Sequence, residues 1–219
     1  MRVTRRELCA GTAALALAGA VFGAGPGGFS FVLPAFADAS PEEVMTPGPL
    51  GDQSQGDPKA PVSLIEYAAV TCPHCSDFFL HQFPEIKSKY IDTGKVHFIF
   101  REFPLNALDV AGFMLARCAG EGKFFPIVDT LFEKQRDWVV QKPLEPLMAI
   151  AKQAGFTQET FEACLKNQKI EDGIKWVRDR AAEKLGVSGT PTFFINGKKF
   201  TGSPTAADIG KEIDTYLKS

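Results

Sequence analysis

The spacing of apolar residues divides the chain into segments of different period. Val62-Ser63-Leu64-Ile65-Glu66-Tyr67 and the stretch Lys95 to Phe103, rich in Phe, Ile and Val, each predict a strand. Between them Phe78, Phe79, Phe83, Ile86 and Tyr90 recur at helical spacing, with Gly94 just beyond. This predicts a helix from Pro73 to about Tyr90, kinked by Pro84. Strand, helix and strand in so short a stretch form a βαβ unit with a parallel pair.

From Asn106 to about Gly186 only helical periodicity is present. Helices are expected around Ala111/Met114/Leu115/Cys118, over Phe124 to Gln135, over Leu144 to Ala154, from an N-cap at Thr157 to Asn167, and from Ile170 to Leu185. Alternation then returns in Thr192-Phe193-Phe194-Ile195 and Lys198-Lys199-Phe200-Thr201, which flank Asn196-Gly197, the dipeptide favoured in type I′ turns. A last helix, opened by Ser203-Pro204, carries Ile209, Ile213 and Leu217 as its buried stripe. The plan is βαβ, a helical insertion, then ββα. Residues 38–60 are Pro- and Gly-rich with little periodicity and read as a loop or arm.

The first 37 residues read as an export signal. Arg2, Arg5 and Arg6 precede an uncharged stretch from Leu8 to Ala37, and Ala35-Phe36-Ala37 is a small-x-small cleavage pattern. The adjacent arginines and the weakly hydrophobic, Ala/Gly-rich core resemble a twin-arginine signal, although Leu8 and Cys9 depart from the usual residues. An ordinary secretory signal and a retained anchor are the alternatives. Pro26, Pro34 and the glycines between Gly23 and Gly28 count against a continuous spanning helix. Cleavage would remove three Arg and one Glu from a chain of net charge −2, leaving −4, and would remove Cys9.

The composition, 45% hydrophobic and 23% charged with 19 Phe, excludes a disordered or collagen-like polymer. The near-neutral balance argues against a nucleic-acid binder. The four cysteines beyond the signal carry the candidate chemistry.

Cys72-Pro73-His74-Cys75 follows a strand and opens a helix. First-turn N–H groups lack partners and the helix dipole is positive there, so a Cys72 thiolate is stabilised. Cys75 lies one turn on, within reach for a disulfide, and a protonated His74 adds positive charge. Stabilising the thiolate stabilises the reduced pair and makes the disulfide more oxidising. A structural zinc site would need two further ligands, which neither His81 nor His97 suits. A purely structural disulfide and adventitious Cu(I) binding are the other readings. No cofactor and no metal are expected.

From Ile65-Glu66-Tyr67 through the CPHC tetrapeptide, the helical insertion and Gly189-Thr190-Pro191-Thr192, the chain resembles the DsbA family of thioredoxin-fold thiol oxidases, including alphaproteobacterial members, over roughly 61–219. The resemblance implies an α/β, thioredoxin-like fold (βαβ…ββα) at 61–105 and 187–219 with an inserted all-helical domain at 106–186. It implies Cys72 as the nucleophile, Cys75 as its internal partner, and a cis peptide at Pro191 facing Cys72, leaving Thr190 backbone groups free for an extended substrate. Thr190, where many oxidases have Val, also occurs in isomerase relatives. Glu66, on an otherwise apolar strand, matches the family's buried proton acceptor for the second cysteine; an outward-facing residue is the alternative.

Cys118 and Cys164 lie on apolar helix faces and are either two buried thiols or a disulfide. In an exported protein we expect the disulfide, and some alphaproteobacterial relatives carry such a pair. With the export signal placing it in the periplasm, we expect a monomeric protein disulfide oxidoreductase acting on newly exported Cys-containing proteins, and the resemblance alone implies a DsbB-like membrane reoxidase. An isomerase and a copper-handling or chaperone module are the alternatives. Some of the Phe near the CxxC helix or in Phe124-Phe125-Pro126 are candidates for a substrate groove.

Overall fold

The computed structural model describes residues 39–218. The expected export segment, with Cys9, lies outside them. Five strands form one mixed sheet in the order β1-β3-β2-β4-β5. Strands β2 (Val62–Ala68) and β3 (Val96–Glu102) run parallel, and β4 (Thr192–Ile195) lies antiparallel to β2 with Phe193 opposite Glu66. The two-residue β5 (Lys198–Lys199) completes a hairpin through Asn196 and Gly197, at φ 46° and 76°. Positive φ at both central residues is what a type I′ turn demands.

Side-chain alternation gives the sheet two buried faces. Leu64, Ala68, Phe98, Phe100, Phe193 and Ile195 belong to the larger core; Ile65, Tyr67, Ile99 and Phe194 belong to a smaller one. The larger core is filled by helix α2, residues 73–91. This helix alternates α segments (Pro73–Asp77, Phe83–Ile86) with π turns (Phe78–Gln82, Lys87–Ile91). Pro84 has no N–H and its ring crowds the carbonyl four residues back. The π turn just before it, in which Phe83 N–H reaches Phe78 O, absorbs that conflict, so the expected kink takes the form of a bulge. Phe83 packs on Phe98 at 4.5 Å and Phe79 on Phe132 at 5.0 Å between ring centroids.

Between β3 and β4 run α3 (Ala107–Cys118), α4 (Phe124–Glu133), the single turn α5 (Gln135–Trp138), α6 (Leu144–Gln153), α7 (Gln158–Leu165) and α8 (Gln168–Lys184). Asn106, Thr157 and Asn167 cap α3, α7 and α8. Helix α8 crosses to the smaller core through Val177 and Ala181. A Cys118–Cys164 disulfide joins α3 to α7 at a Cα separation of 6.0 Å. Closing a loop of 46 residues contributes on the order of 4 kcal/mol in the chain-entropy account. The final helix, α9 (Ala206–Leu217), starts later than Ser203-Pro204: Thr205 is extended and accepts the Asp208 N–H at 3.1 Å, which makes it the cap.

Residues 41–60 are not a free arm. Helix α1 (Pro41–Met45) has a Ser40/Glu43 capping box, and β1 (Gln53–Gln55) pairs antiparallel with β3. Two buried arginines fix this segment. Arg101 donates Nε and Nη2 to Asp52, both at 2.9 Å, and Nη1 to Val44 O and to the Tyr67 hydroxyl. Arg117 pairs bidentately with Glu102 and donates to the Leu50 and Gly51 carbonyls. These partners are far apart in sequence, so no local pattern announces them.

Replacing Arg101 by Met should therefore lower unfolding free energy by about 3–5 kcal/mol, because it strands a partly buried carboxylate and two buried acceptors. Urea unfolding reads the loss, and limited proteolysis should cut first within residues 41–60. Stability equal to the parent would refute the anchoring role of this ion pair.

Candidate active site

Past β2 the chain turns sharply, with Cys72 N–H bonding Ala69 O at 3.1 Å, and delivers Cys72 as the N-cap of α2. Pro73 occupies the first helical position, where a missing N–H costs nothing. Cys72 is extended, at φ −78° and ψ 120°, and its own carbonyl accepts Ser76 N–H at 3.1 Å. Only 7% of Cys72 is exposed, Cys75 is fully buried, and the two sulfurs are unbonded.

The two thiols are tuned in opposite directions. The Cys72 pKa falls from 9.0 to about 5. The largest cause is hydrogen bonding from the Cys75 thiol; burial opposes it, and the Thr190 side chain and the backbone N–H groups of Cys75 and His74 assist. The Cys75 pKa is pushed well above its ordinary value, first by burial and then by its hydrogen bond to Cys72 and the charge of Glu66. At neutral pH the reduced pair is thus a thiolate at Cys72 and a thiol at Cys75.

The Thr190–Pro191 peptide bond is cis. Thr190 O lies 3.4 Å from Cys72 Sγ, in reach of the thiol proton, and the Thr190 hydroxyl is buried. This brings the loop before β4 onto the cysteine pair. Glu66 is on the CxxC side of the sheet, fully buried, with both carboxylate oxygens unpartnered among the described residues. Burial raises its pKa well above the usual carboxylate range, and the negative charge at Cys72 raises it further. The outward-facing alternative for Glu66 does not hold. His74 is exposed beside the pair. His81 bonds Asp77 at 3.1 Å on an exposed face, and His97 lies in β3.

Three further groups hold the turn and carry no sequence signal of their own. Asp109, buried on α3, accepts Thr71 N–H at 2.7 Å, Thr71 O–H at 3.0 Å and Leu105 N–H at 2.9 Å. Gln135 on α5 donates to Val70 O at 2.8 Å and to Cys72 O at 3.0 Å. The Ser76 hydroxyl donates to Phe132 O on α4. Each links the CxxC turn to the inserted helices, at separations from 38 to 65 residues.

Comparison with known proteins agrees with this architecture. A family model described as thioredoxin matches residues 50–215. The chain is 33% identical over 169 residues to a provisionally named protein-disulfide oxidoreductase of Rickettsia conorii, covering 76% of this chain and 61% of that one. It is 30% identical over 179 residues to a provisionally named disulfide bond formation protein D of Bacillus anthracis, covering 76% and 78%. It therefore spans about three-fifths of the length of the rickettsial relatives. The crystal structure of alpha-DsbA1 from Wolbachia pipientis superposes with a TM-score of 0.74 at 36% identity, covering 82% of this chain and 97% of that one.

The opposed pKa shifts fix the proton stoichiometry of reduction. Below about pH 5 the reduced pair holds two protons, and between that value and the raised pKa of Cys75 it holds one. The midpoint potential should fall by about 59 mV per pH unit below the break and about 30 mV per unit above it. A depressed pKa also stabilises the folded, reduced form. That contribution is complete above the ordinary thiol pKa and is lost as pH falls through about 5. Glutathione equilibration from pH 4 to 8 measures the slope; a slope of about 59 mV per unit across the whole range, with no break near pH 5, would refute the assignment.

Proposed function

Because the chain belongs to the DsbA-like family of thioredoxin-fold proteins, we propose that it is a thiol:disulfide oxidase that introduces disulfides into exported, cysteine-containing polypeptides. The observation that carries this reading is the asymmetry of the pair: an anionic Cys72 at a helix mouth beside a Cys75 held protonated. Such a pair is reduced readily, so its disulfide is a good oxidant.

The reaction starts from the Cys72–Cys75 disulfide. A substrate thiolate attacks Cys72 Sγ; a new S–S bond forms, the Cys72–Cys75 bond breaks, and Cys75 leaves and takes up a proton. A second substrate thiolate then attacks the substrate sulfur of the mixed disulfide and expels Cys72. Two electrons pass from the substrate dithiol to the cysteine pair. The low pKa of Cys72 makes it the good leaving group that the second step needs. Glu66, whose burial favours its neutral form, supplies the proton to Cys75 in the first step. Thr190 and Pro191 border the sulfur under attack, and backbone groups there suit an extended substrate of any sequence.

The residue pattern of 1–37 supports export, through a twin-arginine signal, to the periplasm, where disulfides persist. A quinone-linked membrane protein of the DsbB kind would reoxidise the pair. Docking of residues 41–60 on the chain's own sheet favours an oxidase over an isomerase, since an isomerase arm would extend to present two sites. Thr190 before the cis-proline is the feature shared with isomerases.

The oxidised protein should oxidise a dithiol peptide stoichiometrically at pH 7 while refolding scrambled ribonuclease poorly, and Cys72→Ser should abolish the first activity. Efficient refolding of scrambled ribonuclease with slow peptide oxidation would overturn the oxidase reading in favour of an isomerase.

Glu66→Gln keeps the shape but cannot cycle a proton. It should slow opening of the Cys72–Cys75 disulfide by a dithiol peptide, followed by stopped flow from the oxidised protein, by about 10²-fold at pH 7, the low end of general acid–base contributions. An unchanged rate would remove Glu66 from the mechanism.

A further inference from the structure

We propose that Gln135, on the inserted helix α5, is a positioning residue for Cys72: its single carboxamide clips the carbonyls of residues 70 and 72 together and so sets the orientation of the peptide group from which α2 starts. This inference rests on the oxidase reading of the same cysteine pair. Gln135 Nε2 donates to Val70 O at 2.8 Å and to Cys72 O at 3.0 Å. Cys72 O also accepts Ser76 N–H, so both of its lone pairs are engaged, one within α2 and one by the insertion. The plane of the Cys72–Pro73 peptide decides where the next N–H groups, those of His74 and Cys75, are aimed. Pro73 has no N–H, and these two groups are backbone donors to the sulfur. No other side chain among the described residues donates to either carbonyl.

Replacing the donor therefore acts on the sulfur without touching it. Leu at this position has similar bulk and no N–H, leaving Val70 O and one lone pair of Cys72 O without a partner. Glu at this position also loses the donors and sets a carboxylate against two carbonyl oxygens, close to the anion, so its effect is larger. Asn keeps the amide but is one methylene short, so its effect is the smallest.

The test is thiolate titration of Cys72 by absorbance at 240 nm, with the rate of alkylation as a second readout, in the parent, Gln135→Leu, Gln135→Glu and Gln135→Asn. The midpoint is expected to rise in the order Asn, Leu, Glu, by at least about half a pH unit for Leu, a loss of roughly threefold in thiolate at a given acidic pH. The alkylation–pH profile should move with it. Midpoints equal to the parent's in every variant that folds, with only a lower unfolding temperature, would make Gln135 a structural brace and overturn the proposal. Should the Leu variant not fold, the Asn and Glu variants carry the same comparison. A parent that itself titrates like a free cysteine would instead sink the oxidase reading.

Discussion

Holding a negative charge on a sulfur that is almost out of contact with water sets the terms for the rest of this structure. Burial raises the pKa of Cys72, and the protein offsets it with donors of its own: the Cys75 thiol first, then the Thr190 side chain and two backbone N–H groups. Each is effective only within a narrow range of distance and direction. The thiol that donates to Cys72 is thereby made harder to ionise itself, so one interaction tunes both sulfurs and separates their pKa values. The loop before β4 belongs to the same constraint, since Thr190 O lies 3.4 Å from the sulfur.

Directional donors require a rigid turn, and here the inserted helices contribute as much as the sheet. Helix α3 links the two parts. Near its start, Asn106 and Asp109 hold Thr71 in the turn before the nucleophile. Near its end, Arg117 is ion-paired to Glu102 on β3 and bonded to the Leu50 and Gly51 carbonyls, while Cys118 is tied to α7. Gly112, midway, lets α3 approach Val70: a Cβ there would sit 2.9 Å from Val70 Cγ2. The disulfide, the buried ion pair and the N-terminal segment are thus remote from the sulfur yet act on the helix that positions its turn.

What could be read from the sequence depended on the range of the interactions involved. The strands, the hairpin at Asn196-Gly197 and the CPHC helix rest on period, turn chemistry and a helix N-terminus, all of which act within a few residues. The site residues Cys72, Cys75, Glu66, Thr190 and Pro191 are brought to one place by the β2–β4 pairing and the turn after β2. Two short elements, Pro41–Met45 and Gln53–Gln55, carry no periodic signal, because the first is shorter than two turns and the second is three residues held by pairing with β3 beside Asp52, which Arg101 binds. Asp109 and Gln135 carry no pattern for a related reason: the groups they hold in the CxxC turn, on Thr71 for one and the Val70 and Cys72 carbonyls for the other, lie dozens of residues away and leave no trace in residue type. The start of α9 was misplaced by two positions because Ser203-Pro204 and Thr205 are both acceptable openings, and only the hydrogen bond to Asp208 distinguishes them.

Glu66 explains how a site built to favour one anion can also manage a proton. A carboxylate with no hydrogen-bond partner among the described residues and no contact with water is costly, so burial favours the neutral acid. Under the proposed function that neutral acid is a proton stored for Cys75. Release of Cys75 as a thiolate would leave a charge with little stabilisation of its own, and transfer from Glu66 moves that charge onto oxygen. The carboxylate so formed then faces the Cys72 thiolate once the second step expels it, and the repulsion between them favours recapture of a proton from solvent. Under the proposed function the same like-charge coupling that raises the Glu66 pKa would reset the acid for the next turnover, and a hydrogen-bonded, well-solvated carboxylate at this position would do neither.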